Sequence, residues 1–209
     1  VLKAKSSLSG PVIYGTLINS TLLESLSVNG NKPNTTLLSG SYGIHINRSI
    51  RSQLINVVVF NSRYHNILFD GAGSIQNILI RVNSRAANGD GIRLSQNSDF
   101  LITESEIGSN EGNGITITSG GAGEISSNNI YQNTDGINLF NVRTTRILSN
   151  RLNTNDLRGI TVGLSAARLS DSNIISHNTI FDNNQIMASW PAIRLAGTLT
   201  LSIERILIS

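Results

Sequence analysis

Two aspartates, Asp135 and Asp156, have the residue type and the spacing that acid–base chemistry on a polymer requires. They lie 21 residues apart, which is close to the length of a sequence repeat described below. Carboxylates on neighbouring turns of a repeat would face one groove, where one acts as a general acid and the other as a general base. Asp90 precedes the same kind of segment as Asp135 and is a third candidate catalytic residue. Asn138 and Arg158 are candidates for binding the substrate beside them.

A second set of candidates lies upstream and suits a different reaction. Removal of a proton next to a carboxylate needs a base, an acid and a cation that neutralises the carboxylate. Tyr42 and His45 could transfer the proton, Arg93 could bind the carboxylate, and Asp70 and Asp90 would supply carboxylates. The plainer interpretation of His45 is an ordinary surface histidine, and the same applies to His65. A calcium ion between Asp70 and Asp90 is a further option, although the sequence otherwise indicates no cofactor and no metal site.

A repeat of about 23 residues must position these side chains. Its phrases are DGIRL at 90–94, NGITI at 113–117 and DGINL at 135–139, with a weaker copy, RGITV, at 158–162. Their first isoleucines are separated by 23, 22 and 23 residues and stand at Ile92, Ile115, Ile137 and Ile160. A period in this range is typical of a solenoid, in which each unit buries its apolar face against its neighbours.

The repeat predicts β-strands. Its apolar runs are short, alternate with period two, are rich in Ile, Val and Thr, and are bounded by Gly, Asn, Asp and Ser. At roughly 3.3 Å per residue, one repeat makes a closed coil of about three strands, and successive coils pair in parallel. We therefore predict an all-β, single-stranded parallel β-helix of about eight rungs, with 22–25 residues in a typical rung. The recurring asparagines predict ladders of stacked side chains at the turns; their positions are Asn128, Asn150 and Asn178 in one column and Asn110, Asn133, Asn155 and Asn183 in the other.

These strand and turn motifs resemble the right-handed β-helices of the pectate-lyase-like superfamily, which includes polygalacturonases, alginate epimerases and phage tailspikes. Asn133-Thr134-Asp135 is similar to the Asn-Thr-Asp motif of polygalacturonases, although Asn155-Asp156 stands where that family has paired aspartates. Tyr42-Gly43-Ile44-His45 resembles part of the Tyr-Gly-x-Asp-x-His signature of alginate epimerases, without its aspartate. The resemblance implies a substrate chain bound in a groove along one exposed strand face.

Composition limits the other function classes. The chain has 209 residues, a net charge of +3, 14% charged residues and no cysteine, so thiol chemistry and disulfides are excluded. Its basic residues are scattered and its aromatic residues few, which argues against nucleic acid as a partner. No apolar run is long enough to span a membrane. Residues 1–209 are expected to form one β-helix domain that is a segment of a longer chain, with open ends. The surplus residues near 181–191 are expected to form a projecting loop.

Two functions remain open at the level of sequence. The first is a carbohydrate-directed protein that binds an acidic extracellular polysaccharide and, as an enzyme, would be a polysaccharide lyase or a glycoside hydrolase. The second is a non-catalytic rod, such as a tailspike, adhesin or filament subunit, that associates end to end or as a trimer. Sparse aromatic residues on the predicted groove favour the rod, whereas the column of Asp90, Arg93 and Asp135 favours the enzyme. Both imply an extracellular location or the surface of a virion or cell.

Overall fold

The chain forms stacked turns of three short strands. A computed structural model describes residues 1–4, 10–32, 41–163, 172–185, 191–196, 201–204 and 207–208. These residues form strands of two to six residues and no α-helix. Each turn contributes one strand to each of three parallel sheets, which we number in the order in which a turn meets them. The predicted parallel β-helix is confirmed.

The first sheet carries the candidate residues. Its eight strands are Ile13–Thr16, Ile44–Asn47, Ile67–Asp70, Ile92–Ser95, Ile115–Thr118, Asp135–Phe140, Arg158–Gly163 and Ile193–Leu195. The strands of the second sheet are Leu22–Glu24, Gln53–Ile55, Ile78–Ile80, Leu101–Thr103, Glu124–Ser126, Arg146–Leu148, Asn173–Ser176 and Leu201–Glu204. Those of the third sheet are Leu2–Lys3, Ser27–Asn29, Val58–Phe60, Asn83–Arg85, Glu106–Gly108, Asn129–Tyr131, Arg151–Asn153, Thr179–Phe181 and Leu207–Ile208. A small sheet pairs Ser74–Ile75 with Asn97–Ser98.

The repeated isoleucines form one column inside the coil. Ile92 pairs in register with Ile115, and Ile115 pairs with Ile137. The column is completely buried; its members are Ile44, Ile67, Ile92, Ile115, Ile137 and Ile160. Because a parallel register places equivalent residues on top of one another, a spacing of 22–25 residues is enough to stack them.

Asparagine ladders hold two corners of the coil. Asn110, Asn133, Asn155 and Asn183 are linked by Nδ2–H to Oδ1 hydrogen bonds of 2.9, 3.1 and 2.8 Å. In the other ladder Asn128 bonds Asn150, Asn150 bonds Asn178, and Ser105 begins the column, as predicted. At both corners the residue before the ladder adopts positive φ, for example 52° at Gln132. A single left-handed residue turns the chain sharply enough for the next strand to join the next sheet.

Glycine is required where the third sheet leads back to the first. A Cβ atom on Gly136 would lie 2.6 Å from the carbonyl oxygen of Gly159 and 2.8 Å from a methyl carbon of Leu152. The backbones of successive turns therefore approach too closely here for any side chain.

Three expectations need correction or comment. The segment from Leu22 to Val28 is not one strand, because Ser25 has a φ of 52° and separates two strands. About six turns are formed, slightly fewer than the eight expected, because the strands Ile13–Thr16 and Ile193–Leu195 are only partly covered. The loop expected near 181–191 lies partly outside the described residues.

Candidate functional site

Five of the sequence-predicted site residues converge on the outer face of the first sheet. His45 lies in strand 44–47 and Arg93 lies two strands away, with Leu68 between them in register. Tyr42, Asp70 and Asp90 flank these strands, and their side chains contact or electrostatically influence this group. We call Tyr42, His45, His65, Asp70, Asp90 and Arg93 the proton-transfer cluster.

His45 is oriented by a carboxylate. Its Nε2 lies 2.9 Å from Oδ1 of Asp70, which also accepts a hydrogen bond of 2.6 Å from Nδ2 of Asn47. Because a carboxylate oxygen accepts hydrogen bonds, Nε2 of His45 carries the hydrogen and Nδ1 keeps its lone pair. Nδ1 is thus the basic atom of His45. Its side chain is 16% exposed, which leaves the ring reachable from the groove.

His65 has the opposite character. Its Nδ1 accepts the backbone N–H of Asp90 at 2.8 Å, so the hydrogen of the neutral ring is on Nε2. Burial lowers the pKa of His65 from 6.5 to about 4, although nearby Asp90 acts to raise it; Arg93 lowers it further. The distance of 3.6 Å between Nδ1 and Oδ2 of Asp90 is therefore not an ion pair at neutral pH. His65 is a fixed neutral hydrogen-bond donor rather than the surface residue expected.

Asp90 ties this histidine to the arginine. Its Oδ2 lies 3.2 Å from Nη1 of Arg93, and its Oδ1 accepts the backbone N–H of Asn113 at 2.9 Å. The Arg93 side chain is 35% exposed, so this ion pair positions a cation whose remaining N–H groups can reach a bound anion.

Aromatic rings gather at this end of the face, contrary to the expectation of a groove with few of them. The ring of Tyr42 lies 5.0 Å from that of His45 and 5.8 Å from that of His65, centroid to centroid. Tyr64 packs on His65 at 4.1 Å, and Tyr14 packs beside His45 at 5.1 Å. Burial raises the pKa of Tyr42, and Tyr64 and Asp70 add to this effect while Arg93 opposes it. The Tyr42 hydroxyl therefore remains protonated at physiological pH and can act as an acid.

The low pKa of His65 makes stability dependent on pH. The unfolded chain takes up a proton at His65 near pH 6.5, whereas the folded chain does so near pH 4. We expect the free energy of unfolding to be unaffected by this group above pH 6.5 and to fall by on the order of 3 kcal/mol as the pH drops to about 4. Urea titrations over this range measure the fall.

A His65→Asn variant isolates this contribution. The asparagine Oδ1 can replace Nδ1 as the acceptor for the backbone N–H of Asp90, but asparagine does not titrate. The variant should lose less stability than the wild-type protein between pH 6.5 and 4. Asp135, whose pKa is raised, affects both proteins equally and cancels in the comparison. Equal slopes for the two proteins would contradict the assignment.

A second group lies further along the same face. Oδ1 of Asp135 lies 3.6 Å from Nη1 of Arg158, and Oδ2 accepts the hydroxyl of Thr161 at 2.9 Å. Burial raises the pKa of Asp135, while Thr161, Arg158 and Arg194 act to lower it. These residues line a cavity of about 300 Å³, together with Asn138, Phe140, Gly163 and Ala196. We call it the Asp135 cavity.

Asp156 is not brought to Asp135. The register partner of Asp135 is Arg158, 23 residues later, so a spacing of 21 places Asp156 two residues early. Its backbone N–H bonds the carbonyl of Asn133 instead, and Asp156 does not line the Asp135 cavity. The predicted acid–base pair therefore does not face one cavity.

The outer face is less exposed than alternation predicted. Leu68, Thr116 and Thr161 point away from the isoleucine column but are buried by their neighbours. Asn113 joins the two groups, because it donates its backbone N–H to Asp90 and accepts the backbone N–H of Asp135 with its Oδ1. The two groups therefore belong to one continuous polar column along the coil axis.

Within the described residues, no cluster of three or more histidines, aspartates or glutamates could hold a metal ion. Asp70 and Asp90 each already contact a cation or N–H donors, and the calcium option stays a prediction. Nor do the described residues contain a helix long and apolar enough to cross a bilayer.

The proton-transfer cluster has the parts that proton abstraction next to a carboxylate needs. His45 offers a base at Nδ1, Tyr42 offers an acid, and Arg93 offers a cation for the carboxylate. His65 adds a neutral donor through Nε2. The signal for His65 was present in the sequence, because it occupies the same repeat position as Tyr42 and Asp90.

Comparison with known proteins agrees with this architecture. A family model described as "Right handed beta helix region" matches residues 65–203. Similar solved structures include the periplasmic alginate epimerase AlgG, at a TM-score of 0.75 and 16% identity over 94% of this chain and 47% of that one. Pectate lyase Pel9A aligns at 0.56 and 14% identity, over 77% of this chain and 44% of that one. The Dettilon tailspike protein aligns at 0.55 and 14%, over 86% and 47%.

At these identities the similarity establishes the fold. The chain spans less than half the length of the three solved structures. A search of curated protein sequences found no match.

Proposed function

The chain belongs to the right-handed β-helix family, and from this premise we propose that it binds an acidic polysaccharide along its first sheet and modifies it by proton transfer at a uronate residue. Two of the similar structures, an alginate epimerase and a pectate lyase, are by their names enzymes of such polymers. The proposed location is extracellular, periplasmic or on a surface. One neighbour is described as periplasmic and another as a tailspike.

One observation carries the proposal. His45 held by Asp70, Tyr42 packed on both histidines, and Arg93 held by Asp90 all lie on the same few turns of one face. An ordinary solvated face does not need a buried histidine, a buried aspartate and an arginine that share hydrogen bonds. Perturbed and mutually bonded titratable groups of this kind cluster at functional sites.

The proposed reaction begins at the carbon that bears the uronate carboxylate. Nδ1 of His45 removes the proton from this carbon, and the resulting negative charge spreads onto the carboxylate, where Arg93 stabilises it. Asp70 stabilises the imidazolium that forms. The Tyr42 hydroxyl then supplies a proton. Delivered to the opposite face of the same carbon, it yields the epimer.

β-Elimination follows from the same first step. Here the electron pair left on the carbon forms a double bond, the bond to the neighbouring glycosidic oxygen breaks, and Tyr42 protonates the leaving oxygen. Hydrolysis is less well supported, because Asp135 is paired with Arg158 and Asp156 does not line the same cavity.

Solvent exchange tests the proposal for both outcomes at once. The wild-type protein is incubated in D2O with alginate and, separately, with polygalacturonate, and the sugars are examined by NMR. We expect deuterium at the carbon next to the carboxylate, accompanied either by the epimer or by an unsaturated uronate. A protein that binds neither polymer and exchanges no proton would favour the alternative function, a structural rod.

A further inference from the structure

We propose that the Asp135 cavity is a separate binding subsite for one uronate residue of the polymer, distinct from the proton-transfer cluster. This inference rests on the proposed function and names a second place where the same chain is held. The cavity is bounded by strands Asp135–Phe140, Arg158–Gly163 and Ile193–Leu195 of the first sheet. Arg93 and Asn138 are two strands apart, which corresponds to roughly 10 Å along the coil axis.

A buried, incompletely bonded oxygen points to a ligand in this cavity. Asp135 is 5% exposed, and its Oδ1 accepts no hydrogen bond from the described residues. The 3.6 Å separation from Nη1 of Arg158 is an ion-pair distance rather than a hydrogen bond. An unsatisfied buried carboxylate oxygen is costly. A sugar hydroxyl in the cavity would donate the missing hydrogen bond.

Arg194 supplies the charge that selects an acidic sugar. It stands in register with Thr161, whose hydroxyl bonds Asp135, and its residue is exposed at the rim of the cavity. Arg158 already faces Asp135, so Arg194 is the cation placed to meet a carboxylate that arrives from solvent. Guanidinium groups bind carboxylates with paired, charge-assisted hydrogen bonds.

Phe140 supplies an apolar wall. It is 42% exposed, and its register partner is Gly163, which has no side chain to cover the ring. Aromatic rings that are open on one side pack well against apolar surfaces of a ligand, such as the face of a pyranose. The cavity thus combines a hydroxyl acceptor, a carboxylate partner and a stacking surface within about 300 Å³.

Binding measurements on exposed residues test the subsite. The probes are hexamers of galacturonate and of mannuronate, with a neutral glucose hexamer for comparison, titrated by calorimetry. Arg194→Ala should weaken binding of whichever uronate hexamer binds the wild-type protein by about ten- to a hundredfold, the usual effect of losing a charged hydrogen bond. Phe140→Ala should also weaken it. The matched control is Arg146→Ala, which removes the same charge from an exposed arginine of the second sheet and should keep the wild-type Kd.

The outcomes separate the subsite from the reaction. If the wild-type protein exchanges the uronate proton and Arg194→Ala binds as tightly as Arg146→Ala does, the subsite is refuted and the reaction stands. If binding depends on Arg194 but no proton is exchanged, the subsite stands and the reaction is refuted. Equal binding of the neutral hexamer, or no binding of either uronate hexamer, would also refute the subsite.

Discussion

Tyr42→Phe is expected to lower kcat on the polymer that the wild-type protein modifies by about a hundredfold to ten-thousandfold, the range typical of a lost general acid. The substitution removes one oxygen atom and keeps the ring that packs on His45 and His65. Because burial raises the pKa of Tyr42, its hydroxyl holds a proton throughout the physiological range, and phenylalanine has none to give. KM should change far less than kcat, since the hydroxyl acts in the transition state rather than in binding.

The control is Tyr131→Phe, which deletes the same atom from the third sheet. Tyr131 donates its hydroxyl to Glu106 at 2.7 Å and lies outside the proton-transfer cluster. Its variant should retain the wild-type kcat. Deuterium exchange adds a second test, because His45 still removes the proton in Tyr42→Phe while protonation by the enzyme fails. A Tyr42→Phe protein with wild-type kcat would remove Tyr42 from the reaction.

The coil was predictable from sequence because parallel pairing copies register into periodicity. Ile92, Ile115 and Ile137 had to stack once their spacing matched one turn, and the asparagine columns followed by the same rule. Burial of the outer face does not follow from period two. Leu68 and Thr116 alternate outward and are still covered by neighbouring side chains.

The candidate site was predictable only in part, because a shared face does not decide which side chains bond. Tyr42, His45, Asp70, Asp90 and Arg93 were placed together by the repeat, and the structure brings them into one group. Asp156 failed because a shift of two residues within a turn moves a side chain to a different corner of the coil.

His65 shows a further limit of sequence patterns. The bond from the backbone N–H of Asp90 to its Nδ1 determines its burial and tautomer. That bond depends on how the segment 88–90 passes over the previous turn, where the N–H of Gly89 also bonds the carbonyl of Tyr64. Such a contact between turns leaves no periodic signal.

Asn133→Ala is expected to lower the free energy of unfolding by about 3–5 kcal/mol, since several buried groups lose their partners together. Asn133 is fully buried, and its Oδ1 accepts the backbone N–H and the Nδ2–H of Asn110. Its own Nδ2 donates to the carbonyls of Ile107 and Tyr131 and to Oδ1 of Asn155. Urea unfolding at neutral pH measures the loss.

Two further variants separate hydrogen bonding from packing. Asn129→Ala removes an asparagine from an exposed position of the third sheet and should change stability by no more than about 0.5 kcal/mol. Asn133→Leu nearly preserves the side-chain volume but restores none of the hydrogen bonds, so it should be destabilised about as much as Asn133→Ala. If leucine instead restored stability, the loss in Asn133→Ala would come from the cavity that alanine leaves. The ladder would then contribute by filling the corner of the coil rather than by satisfying its backbone.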